Sequence, residues 1–377
     1  MATSKFEKAR DRFLAWCAED AIPLFRDKGR DPLGGYYEAL SHDGEPLRDG
    51  HKRLRVQARQ AWSFARAEHL GLMTGGREAS DHAWRFMIDE GLKPLKDGPT
   101  CFIHIFNADG SVKSDLRDSY DHAFVLLASA ERRLRYNDPE ADDIDAIVER
   151  YFETVRHPEG GFAEGIPASL PRRTNPHMHL FEAALLRREA GPWAFSDSAV
   201  EEIKALWDRA FWDRQRKALL EFFGEDWTPD AASGSVIEPG HMVEWLWLLH
   251  KAGHADQSLF ETLFESARDY GLLPDFPILA DTVDIRSGIR SEGARLWGQT
   301  EHIRAALVLA RATGEERFCE LAAQLLEAFD RHYLTGMVRG GWYDRLGLDG
   351  NPISDRMPSS LLYHILTLAD ELVHSAQ

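Results

Sequence analysis

One short signature returns three times along this chain and constrains its architecture more than any other feature. GGYYEAL begins at Gly34, GGFAEG at Gly160 and GGWYDRL at Gly340. Each reads Gly-Gly, an aromatic, any residue, then an acid. The separations are 126 and 180 residues, two and three multiples of about 60, and a fixed period of that size marks a repeat architecture. The slots between hold strand-like, aromatic segments: CFIHIF from Cys101, LLEFFGEDW from Leu219 and TVDIRSG from Thr282. Six units of about 63 residues fill the 377-residue chain.

Helical periodicity occupies the stretches between these marks. Ala58, Ala61, Trp62 and Ala65 share one helix face, as do Trp84, Met87 and Ile88, and Phe318, Leu321, Ala322, Leu325 and Phe329. The pattern predicts twelve helices, over 4–22, 51–73, 78–93, 117–135, 140–155, 175–190, 196–212, 239–252, 257–271, 291–313, 315–333 and 356–375. Asn175-Pro176 suits a helix start, and Gly253 and Gly314 suit helix ends. Each hairpin follows an odd-numbered helix and precedes an even-numbered one. No linker or low-complexity stretch interrupts the chain. Residues 1–377 are therefore expected to form one all-α domain, an (α/α)6 barrel with short β-hairpins where the inner helices begin. The site is expected at that end.

Unusual polar residues obey the same alternation. Arg59 and Gln60 open the second helix, Tyr120, Asp121 and His122 the fourth, and Asn175, His177 and His179 the sixth. His241 and Glu244 open the eighth, Trp297 and Glu301 the tenth, and His364 lies in the twelfth. Scattered core histidines would follow no such rule.

Several function classes fall away. The formal net charge of −17 argues against a nucleic-acid partner. Cys17, Cys101 and Cys319 are far apart, with neither disulfide-framework nor zinc-knuckle spacing. The N-terminus lacks the apolar core of a signal peptide, and no run is long enough to span a membrane, so a cytoplasmic protein without a membrane partner is expected. There is no HExxH; His177 and His179 diverge on a helix, and His241/Glu244 alone makes half a metal site, so no metal is expected. GxGxxG, P-loop and GxSxG motifs are missing too, which disfavours nucleotide cofactors and a serine nucleophile. Glu164, Glu244, Glu301 and Asp344 keep a two-carboxylate glycosidase open. A non-catalytic carbohydrate-binding barrel would keep the aromatics without turnover.

At these residues the sequence resembles the N-acylglucosamine 2-epimerase superfamily. The likeness rests on QARQAWSFARA, YDHAFVLLA, NPHMHLFEA, EPGHMVEW, RLWGQTEH and GGWYDRL followed by MPSSLLYH, and spans nearly the whole chain. RLRVQARQ and RRTNPHMHLFEA look most like its D-mannose isomerase branch, with sulfoquinovose isomerases as relatives. The resemblance implies an (α/α)6 barrel, no cofactor, and two catalytic histidines at His241 and His364. It implies sugar contacts at Arg59, Tyr120, Asn175, His179, Glu244, Trp297 and Glu301. The expected reaction is interconversion of D-mannose and D-fructose, with a 2-epimerase on the same barrel as the alternative. The expected partner is a monosaccharide, with a monomer or homodimer. Arg172 and Arg173 leave open a sulfonate or phosphate group on the sugar.

Residue chemistry fits such a reaction. A proton moved between C2 and C1 needs a base titrating near neutrality, which suits histidine. The helix dipole at His241 is expected to favour its neutral form. Glu244, one turn on, is expected to fix the tautomer or grip a hydroxyl. Arg59 is a fixed cation for an enediolate oxygen, and Tyr120 and Trp297 offer flat faces with a polar tip. The resemblance assigns the C2/C1 proton to His364, and ring opening with oxygen proton transfer to His241.

Overall fold

A computed structural model describes residues 4–96, 98–335 and 338–375. Helix α1 begins as Ser4–Trp16, passes through a π-helical turn at Cys17–Ala21 and continues as Ile22–Asp27. The remaining helices are α2 (Leu54–His69), α3 (Gly76–Gly91), α4 (Ser119–Tyr136), α5 (Ala141–Thr154), α6 (Thr174–Glu189) and α7 (Ala194–Leu206). They continue with α8 (Pro239–Lys251), α9 (Gln257–Gly271), α10 (Leu296–Thr313), α11 (Glu316–Tyr333) and α12 (Leu362–His374). None is long and apolar enough to cross a membrane.

The even-numbered helices form a closed inner ring, α2–α4–α6–α8–α10–α12 and back to α2, and α3, α5, α7, α9 and α11 each pack outside the inner helix that precedes them. Composition follows position. In α10 every residue from Leu296 to Leu309 is buried, because an inner helix meets protein on all sides. In α11 only one stripe is buried, including Phe318, Ala322, Leu325 and Phe329.

The predicted helix starts at 51, 117, 291 and 356 are too early. Lys52–Arg53, Arg117–Asp118, Gly293–Arg295 and Met357–Pro358 are extended instead, and Ser359–Leu361 is a 3-10 turn. These residues are diverted into strand pairs. Each lead-in strand pairs antiparallel with a strand in the next unit's hairpin: Lys52–Arg53 with Ile105–Phe106, Arg117–Asp118 with Gly165–Ile166, and Arg172–Arg173 with Phe222–Phe223. Val236–Ile237 then pairs with Val283–Asp284, Gly293–Arg295 with Arg345–Gly347, and Met357–Pro358 returns to Ala39–Leu40. Six short pairs thus form a belt around the mouth of the barrel and join the last unit to the first.

Candidate active site

Each inner helix starts from an extended residue: Arg53, Asp118, Arg173, Glu238, Arg295 and, ahead of the 3-10 turn, Pro358. A helix rises 1.5 Å per residue, so equal offsets from these residues lie at about equal depth. Four positions on stand Gln57, His122, His177 and Gln299 in the first, second, third and fifth units. They clasp the hairpins. The N–H of Tyr36 donates to Gln57 (2.7 Å), Phe102 to His122 Nε2 (3.1 Å), Phe162 to His177 Nε2 (3.0 Å) and Leu279 to Gln299 (2.8 Å). Each histidine's Nδ1 meets a backbone carbonyl, of Asp118 or Arg173. Both rings are therefore neutral, with Nε2 as acceptor. Burial pulls His122 down to about 4 and His177 to about 3. Part of the alternating polar pattern is thus architectural.

Six positions on comes a second ring: Arg59, Phe124, His179, Glu244, Glu301 and His364. Above it opens a cavity of about 180 Å³, lined by Arg59, Tyr120, Asn175, His179, His241, Glu244, Trp297 and His364, with Glu238, Arg295 and Leu361 completing the wall. Eight of the nine expected site residues meet here. Glu301 is the exception: it is fully buried behind His364, whose Nδ1 lies 3.0 Å from its Oε1. Its other oxygen is held by the buried Arg304.

The two histidines flank one indole. The Trp297 ring centroid is 4.9 Å from that of His241 and 5.8 Å from that of His364. Their environments set them apart. Burial, with the cations Arg59 and Arg304 near, holds His364 well below the usual histidine range, so it is a neutral base. Burial also opposes charge on His241, but the carboxylates around it, Glu221 first and then Glu238, outweigh it and push it up to about 10. The expectation of a neutral His241 is thereby corrected: the carboxylates around it override one helix dipole.

The residue gripping His241 Nδ1 is Glu221, at 3.0 Å, rather than Glu244. Glu221 lies in the fourth hairpin at the acid position of the repeat. The backbone shows the equivalence: Ser359 donates to the carbonyl of Glu38, Ser119 to Glu164, Thr174 to Glu221 and Leu296 to Asp344. Aligning LLEF with GFAE and WYDR by that position would have found it. The other acids hold arginines: Glu38 takes Arg53, Glu164 takes Arg173 (2.5 Å), and Asp344 faces Arg295 (3.4 Å). Glu164 and Asp344 are thus committed to the mouth, away from a glycosidase pair. Arg172 is also structural, stacked on Trp227 at 3.6 Å and bonded to backbone carbonyls.

Deeper in, His179 Nδ1 meets Glu182 at 3.0 Å, and Glu182 also accepts from the Tyr363 hydroxyl. Glu244 is buried, with Oε2 unpartnered. Burial and the neighbouring Glu301 raise it well above the usual carboxylate range, which favours its protonated form. Arg59 donates to the Tyr120 hydroxyl at 2.8 Å and forms no ion pair among the described residues. It stacks 4.1 Å from the Phe124 centroid. Among the described residues three groups could hold a metal: His104, Asp118 and Asp121; His179, Glu182 and Glu244; and Glu221, Glu238 and His241, each with donor atoms within 4.8 Å of one another. In each, the imidazole and one carboxylate are already joined by a hydrogen bond, which an ion would have to replace.

Residues 35–368 match the family described as N-acylglucosamine 2-epimerase (GlcNAc 2-epimerase). The mannose-6-phosphate isomerase of Rhizobium meliloti (strain 1021) is 35% identical over 378 residues, 95% of either chain. The D-mannose isomerase of Thermobifida fusca is 27% identical over 381 residues, 90% of this chain and 88% of that one. The solved cellobiose 2-epimerase of Bacillus thermoamylovorans B4167 has a TM-score of 0.86 at 19% identity, covering 98% of this chain and 99% of that one. At that identity the likeness speaks for the fold. The protein is an enzyme of the isomerase class, a sugar isomerase or epimerase. It belongs to the N-acylglucosamine 2-epimerase family.

Proposed function

We propose that the enzyme interconverts D-mannose and D-fructose, with related aldoses such as D-lyxose as further substrates. The observation that carries this reading is the placing of two histidines on either side of Trp297 in contrasting surroundings, which favour a neutral His364 and a charged His241. In the open-chain aldose, His364 Nε2 removes the C2 proton while His241 donates one to the C1 oxygen. The product is a cis-enediol. His241 then takes the proton of the C2 hydroxyl as His364 returns its own to C1, and the ketose leaves both rings as they began. Arg59 and Asn175 stand at the cavity wall to bind the oxygens that change charge. The names of the two mannose-isomerase relatives support the substrate class.

A phosphorylated hexose is the second reading. Arg295 favours it: this residue lines the cavity, its side chain is 41% exposed, and it meets Asp344 only at 3.4 Å. Product identity decides between them: D-mannose and D-mannose 6-phosphate are supplied separately in D₂O and the products resolved by NMR. Fructose carrying deuterium supports the first reading, and turnover of the phosphate alone supports the second. Glucose without fructose would make the enzyme a 2-epimerase, with a proton returned to the opposite face of C2. No turnover of any hexose overturns all three.

A further inference from the structure

A second cavity lies on the barrel axis toward the far ends of the inner helices, all six of which contribute to its wall. Its volume is about 40 Å³, room for roughly three water-sized occupants. Trp62, Arg66, Lys251 and Arg304 wall it, together with Glu182 and Asp370.

The hydrogen-bond balance here is uneven. Trp62 Nε1, Arg66 Nε and Arg304 Nε are buried N–H donors without a partner. Their residues are 4%, 7% and 1% exposed. The one acceptor among the wall residues without a hydrogen bond is Asp370 Oδ1, and it lies 3.4 Å from His374 Nδ1. Arg66 already binds Glu131 and Asp370, Arg304 binds Glu301, Lys251 binds Glu189 at 2.8 Å, and both Glu182 oxygens are taken by His179 and Tyr363. What remains is an excess of donors, and buried donors left unmade are costly.

We propose that this cavity binds a small monovalent inorganic anion of halide size, which accepts from the indole and the two guanidinium Nε–H groups. The site is coupled to the catalytic cavity. Arg304 holds Glu301, which holds His364. An anion on Arg304 draws on the positive charge that neutralises Glu301 and so favours protonation of His364.

The direct test uses crystals of the full chain soaked in sodium bromide, with data collected at the bromine edge. An anomalous peak beside Arg66 and Arg304 Nε is expected. Water alone in that cavity at saturating bromide overturns the proposal. The kinetic arm, which rests on the proposed isomerase reading, replaces gluconate by bromide at constant ionic strength. The acid limb of kcat should move up by roughly half a pH unit. Trp62→Phe, which removes one donor and keeps an aromatic ring, should leave turnover in gluconate unchanged and shrink that shift. An equal shift in both proteins overturns the coupling. The anomalous peak does not depend on which sugar is turned over, so failure of the substrate reading stays distinguishable.

Discussion

His364 Nδ1 lies 3.0 Å from Glu301 Oε1, one layer behind the sugar cavity. That hydrogen bond assigns the Nδ1 proton and leaves Nε2 as the basic nitrogen. Glu301 therefore acts through His364. Glu301→Gln should lower kcat by about 10²-fold with little change in KM, measured as initial rates of fructose formation. An equal rise in KM with normal kcat would instead place Glu301 against the sugar.

The pH profile should have a wide plateau. The base must be neutral, so activity falls as pH drops through the His364 value, which lies well below 6.5. The acid must be charged, so activity falls as pH rises through about 10, the value to which the carboxylates raise His241. Glu221→Gln removes the largest of these influences and should bring the alkaline limb down toward neutrality. A limb that stays put in that variant would dissociate His241 from it.

Glu244 should tolerate replacement by a neutral group of its own shape but not loss of that shape. Its protonated form can donate a hydrogen bond to a sugar oxygen. Glu244→Gln keeps a donor and should retain activity within about tenfold, whereas Glu244→Ala should lose about 10²-fold or more. The opposite order would make it an ionised base. The readout is kcat/KM for both variants side by side.

Gly240 sits under Trp297 for a steric reason. A Cβ there would fall 2.7 Å from the indole, closer than atoms pack. Gly240→Ala should push the ring off the cavity wall, raising KM and lowering kcat together while Tm changes little. Unchanged kinetics would show that the indole's position is immaterial.

The buried clasp histidines make stability pH-dependent. Their folded values, about 4 for His122 and about 3 for His177, lie below the ordinary 6.5. The unfolded chain binds more protons in that window, so stability falls as pH drops from about 6.5 to 4. His122 alone accounts for on the order of 3 kcal/mol there. Gln57 and Gln299 make the same clasp in other units, so His122→Gln should fold and flatten the fall of Tm with acid. A slope identical to the parent's would remove His122 from it.

The barrel was legible because its repeat is written in residues with few substitutes. Gly35 has a φ of +68°, and a Cβ there would fall 2.5 Å from Gln57 Oε1 and 2.9 Å from the Phe86 ring, so this turn requires the second glycine of the pair. The lead-in strands were not legible. Two residues such as Lys52–Arg53 or Met357–Pro358 are too short to display a period of two, and helical periodicity absorbed them. At the site, eight residues announced themselves by standing near the starts of alternate helices. Glu221 did not, because its hairpin lacks Gly-Gly, and its role appears only when backbone partners fix its register. Nor was the charge of His241 readable: a helix start argues one way, and acids brought in from the neighbouring hairpin argue the other.

The belt of strand pairs bears on how the mouth admits its substrate. Each hairpin is linked on both sides, and the last link joins Met357–Pro358 to Ala39–Leu40. A hoop made this way has no loose end to swing aside; widening it at one unit means parting two links together. The size limit on what enters is then a property of the rim, where Arg295 and Glu238 stand.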